Sequence, residues 1–339
     1  MEAKMKTSEV KVNVKQENKG SKALDFIEKW GTIITIVFLI VFFSVAMPEA
    51  FPTKTNVITI LRSISIVTVI AIGITVSLTV GGFDLSVGSV ATFADTMVMS
   101  MFVWYSMPVF PAIIISLLAV LSVAIINSLL IVKLKIPDML ATLSCMFIFE
   151  GVAMTYAGGG SISQGMSKLD GTPTTGTILP LFSKVGQAPY IIIIMLVVVV
   201  AVHIFLNYTK HGRYLYVVGG NMEAARLSGI PVQRYRTIAY FLSAILAGIG
   251  GILLASRIGS AQINAGAGYL MPSVAAAYIG YSFAGAGRAN AIGTFFGAVL
   301  VGVLENGLVM MSVPYYSLNI VKGAVLAIAL ALTYFRKKD

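Results

Sequence analysis

The residues best able to do chemistry in this chain are the few ionisable and polar side chains that interrupt long apolar runs. Residues 79–89 read TVGGFDLSVGS and place Asp84 between two apolar segments. A carboxylate is costly in lipid, so Asp84 is expected to face protein, water or a helix N-terminus. Two interpretations stay open. Asp84 caps, with Ser86 and Ser89, a helix that starts near Val87, or the segment is a broken helix that lines a transport path.

Four other ionisable residues lie within apolar segments, and each is a candidate functional residue by default. They are Asp95, Glu150, Glu305 and Lys322. Glu150 or Glu305 could neutralise Lys322 across helices, which would be a structural charge network; a proton- or sodium-coupled site is the alternative. The two histidines are isolated from each other and from Cys145, the single cysteine, so neither a metal site nor a cofactor is predicted.

The amino-acid composition indicates whether the chain folds in water or in a membrane. The chain has 339 residues, of which 57% are hydrophobic and 11% are charged, whereas an ordinary soluble domain carries about 25% charged residues. The mean hydropathy of +0.90 agrees with a membrane protein and argues against a soluble enzyme. The net charge is +10, but the lysines and arginines do not form the continuous basic face with aromatic residues that nucleic-acid binding needs.

Ten apolar segments predict an all-α polytopic membrane protein. Residues 1–29 are polar and lysine-rich and are interpreted as a flexible cytoplasmic tail, followed by a membrane domain at 30–336. The segments lie at 31–47, 60–80, 87–107, 109–132, 138–158, 189–207, 237–255, 271–286, 291–312 and 317–335. If all ten span and the N-terminus is cytoplasmic, 18 of the 24 lysines and arginines fall inside and five outside. This bias predicts that both termini are cytoplasmic.

A weak internal repeat relates two of these segments. Residues 117–137 and 296–314 each contain an apolar helix ending in an Asn-small-Leu step, at Asn127 and Asn306, followed by a proline. The predicted orientation gives the two copies opposite topology, and inverted repeats are common in transporters. Chance similarity between two apolar helices is the alternative.

Small residues recur at every fourth position from Ser243 to Gly259, and Gly293 and Gly297 form a GxxxG pair. Such faces allow helix backbones to approach closely. We expect them to pack within one subunit, with a dimer interface as the alternative.

Four motifs carry a resemblance to a known family. They are GGFDLSVGSV (81–90), NSLLIVKLKIPDMLATL (127–143), GRYLYVVGGNMEAARLSGI (212–230) and SAQINAGAGY (260–269). Over residues 50–335 the chain resembles bacterial ABC-transporter permeases for simple sugars, the ribose, xylose, arabinose and galactoside group. The resemblance implies about ten transmembrane helices in two inverted halves, like those of vitamin B12-type importers, in the bacterial cytoplasmic membrane.

The loop at 209–236 is the longest predicted cytoplasmic loop, and it resembles the EAA element of importer permeases. The assigned residues are Gly220, Asn221, Glu223, Ala224, Ala225 and Gly229. Residue types predict a short helix that starts near Asn221 and stops at Gly229. In the family such a helix docks into a cytoplasmic ATPase; an ordinary solvated helix is the alternative. The sequence has no G-x-x-x-x-G-K-[ST] phosphate loop, so the chain is predicted to be a transport subunit and not itself an enzyme.

The resemblance also implies partners and a path. The expected partners are ATPase subunits, an extracytoplasmic sugar-binding protein docked on 158–188 and 256–270, a second permease copy (identical or related) and membrane lipid, with no nucleic acid. The candidate path residues are Phe83, Asp84, Ser86, Asn127, Glu305 and Asn306.

The expected function is the import of a monosaccharide, a ribose-like pentose or a hexose, driven by ATP. An ion-coupled secondary transporter of a small polar solute is the alternative. Related permeases often have Arg at the position of Glu150 and Asn at that of Glu305. They more often read GGTSLAGGxG where this chain has GYSFAGAG at 280–287. These departures make a subgroup with a different substrate plausible.

Overall fold

Long helices joined by short connections make up most of the described chain. A computed structural model describes residues 19–283, 287–314, 316–321, 323, 324 and 327. The helices are α1 (Lys19–Ala46), α2 (Lys54–Thr79), α3 (Val87–Val103), α4 (Val109–Ser128), α5 (Asp138–Tyr156), α6 (Pro180–Val185), α7 (Tyr190–Tyr208), α8 (Lys210–Gly220), α9 (Met222–Leu227), α10 (Val232–Ile258), α11 (Ala267–Ser282) and α12 (Ala291–Met310). A π-helical turn, Leu129–Lys133, extends α4, and residues 316–321 are also helical.

Within the described residues, six helices are long and apolar enough to cross a membrane. They are α2, α4 with its π-helical turn, α5, α7, α10 and α12. Shorter apolar helical stretches occur at Trp30–Ala46 and Val87–Val103. The chain is therefore a mostly helical, polytopic membrane protein, as the composition predicts. The number of ten spans stays a prediction.

The predicted boundary between tail and membrane domain at residue 29 falls inside a helix. Helix α1 begins at Lys19, so the last residues assigned to the tail are helical. Residues 1–18 lie outside the described part of the chain. The division into a tail of residues 1–29 and a membrane domain of residues 30–336 stays a prediction.

Helix α10 lies at the centre of the bundle and packs against α2, α3 and α4. Glycine permits this close approach, because a Cβ at Gly251 would clash with the backbone carbonyl of Ala91 on α3. In the same way, a Cβ at Gly297 of α12 would clash with the carbonyl of Ala276 on α11. The small-residue faces therefore pack within one subunit, as predicted.

The outer helices present apolar surface away from this core. In the most apolar stretch of α7 only 22% of the residues are buried, against 72% in α10. Exposed residues on α4, α5 and α7 include Phe110, Phe147 and Val197. An apolar surface of this extent suits lipid.

Two sets of connections mark the opposite ends of the bundle. At the hairpin end, strand β1 (Ile162–Ser163) pairs antiparallel with strand β2 (Ser260–Ala261). At the loop end, α8 and α9 connect α7 to α10. The 27 residues of α10 run from the loop end to the hairpin end, and at about 1.5 Å per residue they separate the two ends by roughly 40 Å.

Candidate functional site

The candidate site is built on residues 80–86, which separate α2 from α3 at the loop end and are here called the interrupted segment. Helix α2 ends at Thr79, and Gly81 then adopts a φ of +71°. This left-handed conformation favours glycine, since a Cβ would strain it. The interrupted segment leaves the helical path there, which exposes its polar backbone groups to neighbouring side chains.

Asp84 is fully buried, and both of its carboxylate oxygens accept hydrogen bonds from protein groups. Its Oδ1 accepts hydrogen bonds from the backbone N–H and the hydroxyl of Ser86, at 2.9 and 2.6 Å. Its Oδ2 accepts a hydrogen bond of 2.8 Å from the hydroxyl of Ser243 on α10. These three donors offset the cost of burying the carboxylate. Asp84 therefore ties the interrupted segment to the central helix.

The predicted side-chain capping of α3 is wrong in detail. Ser86 precedes the helix, but its side chain makes no capping hydrogen bond to the first turn. The Ser86 hydroxyl instead donates to Asp84 and accepts from Nδ2 of Asn127 on α4, at 2.9 Å. Asn127 is fully buried, and its Oδ1 has no hydrogen-bond partner among the described residues. Three predicted path residues, Asp84, Ser86 and Asn127, thus form one buried cluster.

Phe83 and Leu85 are held from two sides. The Phe83 ring packs against Tyr278 of α11, with the ring centroids 5.8 Å apart. On the other side, the Thr142 hydroxyl of α5 accepts a hydrogen bond of 3.1 Å from the backbone N–H of Leu85. The interrupted segment is therefore in contact with α4, α5, α10 and α11.

A partly buried ion pair lies next to this segment. The Asp138 carboxylate, at the first residue of α5, accepts hydrogen bonds from the Arg236 guanidinium and the Tyr240 hydroxyl, both on α10. The side chains of Asp138 and Arg236 are each 17% exposed. A Cβ at Gly82 would lie 2.6 Å from Asp138 Oδ2 and would clash with the Tyr240 hydroxyl. Glycine at position 82 allows the segment to lie directly against this group.

The predicted short helix in the 209–236 loop exists as α9. The Asn221 side chain caps its N-terminus by accepting hydrogen bonds from the N–H groups of Glu223 and Ala224, at 3.0 and 2.9 Å. Its end is followed by Gly229, whose φ is +77°. Leu227 is 82% exposed at the end of this helix.

Helix α8 fixes α9 to the bundle. A Cβ at Gly219 would clash with the carbonyl of Thr79 and lie 2.9 Å from the N atom of Gly81. The Tyr216 hydroxyl donates a hydrogen bond of 2.7 Å to the carbonyl of Ala289. Burial raises the pKa of Tyr216, so the hydroxyl stays protonated and able to donate. The loop is therefore anchored against the start of the interrupted segment.

Glu305 and Asn306 lie away from this cluster. Glu305 borders an open cleft with about 340 Å³ of empty space, between α11, α12 and the helical residues 316–321. Both residues stand near the C-terminal end of α12, whose N-terminus is at the loop end. The six predicted path residues therefore divide into one group at the loop end and one towards the hairpin end.

The structure describes two of the three residues of the predicted charge network, Glu150 and Glu305. Lys322 lies outside the described residues. Glu150 is on α5, which packs against α3 and α4, whereas Glu305 is on α12, which packs against α1, α2, α7 and α11. Among the described residues, no group of three or more His, Cys, Asp or Glu side chains could hold a metal ion.

Sequence reasoning missed the side chains that surround the interrupted segment. Asp138, Thr142, Arg236 and Tyr240 were not singled out from the sequence, and Ser243 was noted only as a small residue. Tyr240 and Ser243 are one helical turn apart on α10 and both contact polar groups of the site. Two polar side chains at a spacing of three within the apolar stretch 238–255 of α10 were the available signal.

Comparisons with known proteins give matches along most of the chain. Residues 56–330 match the family described as the permease component of the branched-chain amino acid transport system. The ribose import permease protein of Bacillus subtilis is 33% identical over 318 residues, which cover 92% of this chain and 94% of that protein.

Two relatives from Haemophilus influenzae extend the similarity to other sugars. Its galactose/methyl galactoside import permease protein is 32% identical over 337 residues, 94% of this chain and 98% of that protein. Its xylose transport system permease protein is 26% identical over 363 residues, 90% of this chain and 96% of that protein. No solved structure matches the chain.

Proposed function

The chain belongs to this family of transport permeases, and on that premise we propose that it is the membrane subunit of an ATP-driven importer for a monosaccharide. The observation that carries the proposal is end-to-end similarity to permeases named for ribose, galactoside and xylose. Ribose is the first sugar to test, because the ribose permeases include relatives at 33% identity.

The proposed partner at the loop end is a cytoplasmic ATPase. Helix α9 is capped by Asn221, ends in the exposed Leu227 and is fixed to the bundle through Gly219. A short rigid helix of this kind can dock in a cleft and pass on its movement. The loop is also basic, with Arg213, Arg226 and Lys210 among its residues, which suits the cytoplasmic side.

The proposed partner at the hairpin end is an extracytoplasmic sugar-binding protein. The connections at 158–188 and 256–270 meet there through the β1–β2 pair. A second permease copy, identical or related, completes the assembly. With α9 on the cytoplasmic side, both chain termini are cytoplasmic in a chain of ten spans.

The proposed architecture is two inverted halves, as in vitamin B12-type importers. Two matching asparagines support it, because they stand near opposite ends of the bundle. Asn127 reaches Ser86 beside the loop end, whereas Asn306 lies in the second half of α12, which begins at the loop end. A sequence element that recurs with its direction reversed is what inverted repeats produce.

Phe83, Asp84, Ser86, Asn127, Glu305 and Asn306 remain the proposed path residues. Asp84, Ser86 and Asn127 are fully buried, so they shape the path and meet sugar only after the interrupted segment moves. Transporters of this type expose the substrate site to one side of the membrane at a time and so avoid a continuous pore.

Uptake by intact cells tests the energy source. A strain that depends on this chain for uptake of radiolabelled ribose is treated with arsenate, which depletes ATP, or with an ionophore, which collapses ion gradients. The proposal expects arsenate to stop uptake and the ionophore to leave it in place. The reverse result would favour the ion-coupled secondary transporter.

A further inference from the structure

The helix that follows the ATPase-docking loop also holds the interrupted segment. Helix α10 begins at Val232, three residues after Gly229. Its first three turns carry Arg236 and Tyr240, and the next turn carries Ser243. All three side chains reach groups in or beside the interrupted segment. A displacement of α9 therefore acts first on a helix with several direct bonds to the site.

Asp138 is the point at which these bonds converge. One of its carboxylate oxygens accepts from Arg236 and the other from Tyr240. One turn further along α5, the Thr142 hydroxyl accepts a hydrogen bond from the backbone N–H of Leu85. Gly82 lies so close to Asp138 and Tyr240 that a Cβ would not fit. Asp138 thus connects α10, α5 and the interrupted segment within one contact group.

We propose that Asp138 is a positioning residue that transmits movement of the loop at 209–236 to the interrupted segment. The inference rests on the proposed function, because that function supplies the ATPase that moves the loop. Asp138 need not touch sugar or nucleotide in this role. It holds α10, α5 and residues 82–85 together, so that they shift as one body.

Charge and burial make this connection stiff. Asp138 and Arg236 are mostly shielded from water, and a partly buried pair is less weakened by solvent and salt than an exposed one. Asp138 is also in the first turn of α5, where the helix dipole favours a carboxylate. By contrast, the Glu223–Arg226 pair on α9 is 67% exposed on both side chains and is expected to contribute little.

A second contact prevents the loop from moving independently of the segment. Gly219 of α8 lies directly against the backbone of Thr79 and Gly81. Helix α8 thus contacts the start of the interrupted segment, and Asp138 and α10 contact its middle. Two contacts at different points of one short segment carry a shift of the loop to the whole segment.

Accessibility of the interrupted segment tests the proposal without knowledge of the sugar. The chain is purified with its ATPase in a Cys145→Ala, Phe83→Cys background, and the rate of reaction with a fluorescent maleimide is measured with and without ATP and vanadate. The proposal expects nucleotide to change this rate by about fivefold or more, the low end of typical coupling between sites. Adding Asp138→Asn should abolish the change while the ATPase still co-purifies.

A matched control tests whether the effect of Asp138→Asn comes from its position or only from the loss of a negative charge. Glu49→Gln removes an exposed carboxylate in the connection between α1 and α2 and should leave the nucleotide-dependent change intact. If Asp138→Asn prevents assembly, Tyr240→Phe replaces it, because that change removes one hydroxyl and keeps the ring. Tyr240→Phe is expected to reduce the change at least about twofold with an unaltered yield of complex.

The outcomes separate this inference from the function on which it rests. The inference is overturned if nucleotide changes the labelling rate equally with and without Asp138→Asn. If Tyr240→Phe is used instead, the same comparison applies to that variant. A background that shows no change at Phe83→Cys also overturns it, and ATP-driven uptake by the same complex would leave the proposed function standing. Failure of the unsubstituted chain to bind any ATPase would instead contradict the proposed function.

Discussion

The Ser243 hydroxyl on α10 donates a hydrogen bond of 2.8 Å to the Asp84 carboxylate, joining residues 159 positions apart in the sequence. This bond links α10, the helix that follows the loop at 209–236, to the interrupted segment between α2 and α3. The buried carboxylate of the interrupted segment is thereby held inside the protein by the central helix. The first role of Asp84 is therefore structural, because it holds the interrupted segment to α10.

Replacement of Asp84 should weaken the fold as well as transport. Asp84→Asn leaves an amide group where the Ser243 hydroxyl or the Ser86 groups need an acceptor. A buried donor left without an acceptor costs about 1–3 kcal/mol. The thermal unfolding midpoint of the purified chain in detergent is expected to fall, and Glu49→Gln serves as the exposed control. Equal midpoints for the two variants would show that the cluster does not stabilise the fold.

Two neighbouring glycines of α8 should respond differently to the same change. A Cβ at Gly219 would clash with the Thr79 carbonyl, whereas a Cβ at Gly220 would meet no atom within 4 Å. Gly219→Ala is expected to cost about 1–3 kcal/mol through overpacking. Gly220→Ala should keep or raise stability, since Ala favours helix more than Gly. Thermal unfolding of both variants checks this, and a stable Gly219→Ala protein would argue against the contact.

The exposed end of α9 should control ATPase binding. Leu227→Asp places a charge at an apolar side chain that is 82% exposed. Co-purification of the ATPase is expected to weaken about tenfold or more, as for a residue central to an interface. Leu169→Asp changes a leucine that is 63% exposed in the 158–188 connection, and the amount of co-purified ATPase should not change. Loss of ATPase with both variants would point to a general folding defect.

Cysteine labelling in intact cells should establish the orientation. In a Cys145→Ala background, Asp170→Cys in the 158–188 connection is expected to react with a membrane-impermeant maleimide. Glu223→Cys on α9 is expected to react only after the membrane is permeabilised. The opposite pattern would reverse the orientation that the distribution of lysine and arginine predicts.

The length of the apolar runs predicted the helices well, because hydrophobic runs and helix breakers are local properties. The interruption at Gly81 and Gly82 and the short helix between Asn221 and Gly229 also came from local signals. Asn221 is a capping residue, and Gly229 adopts a left-handed conformation. Such features depend on a few neighbouring residues, so a sequence can reveal them.

The arrangement around Asp84 could not be predicted in the same way. Ser243, Asp138 and Tyr240 join it through contacts between residues far apart in the chain. Only packing of α5 and α10 brings them together. The capping assigned to Ser86 failed for this reason, because a tertiary partner, Asn127, competes for its hydroxyl.

The most direct test of the account is sugar uptake by a reconstituted importer. Proteoliposomes containing the chain and its ATPase are supplied with a ribose-loaded binding protein outside and ATP within the compartment that faces α9. The account predicts ribose uptake that requires the binding protein and ATP hydrolysis and that proceeds without any ion gradient. Uptake driven by a proton or sodium gradient in the absence of ATPase would contradict it.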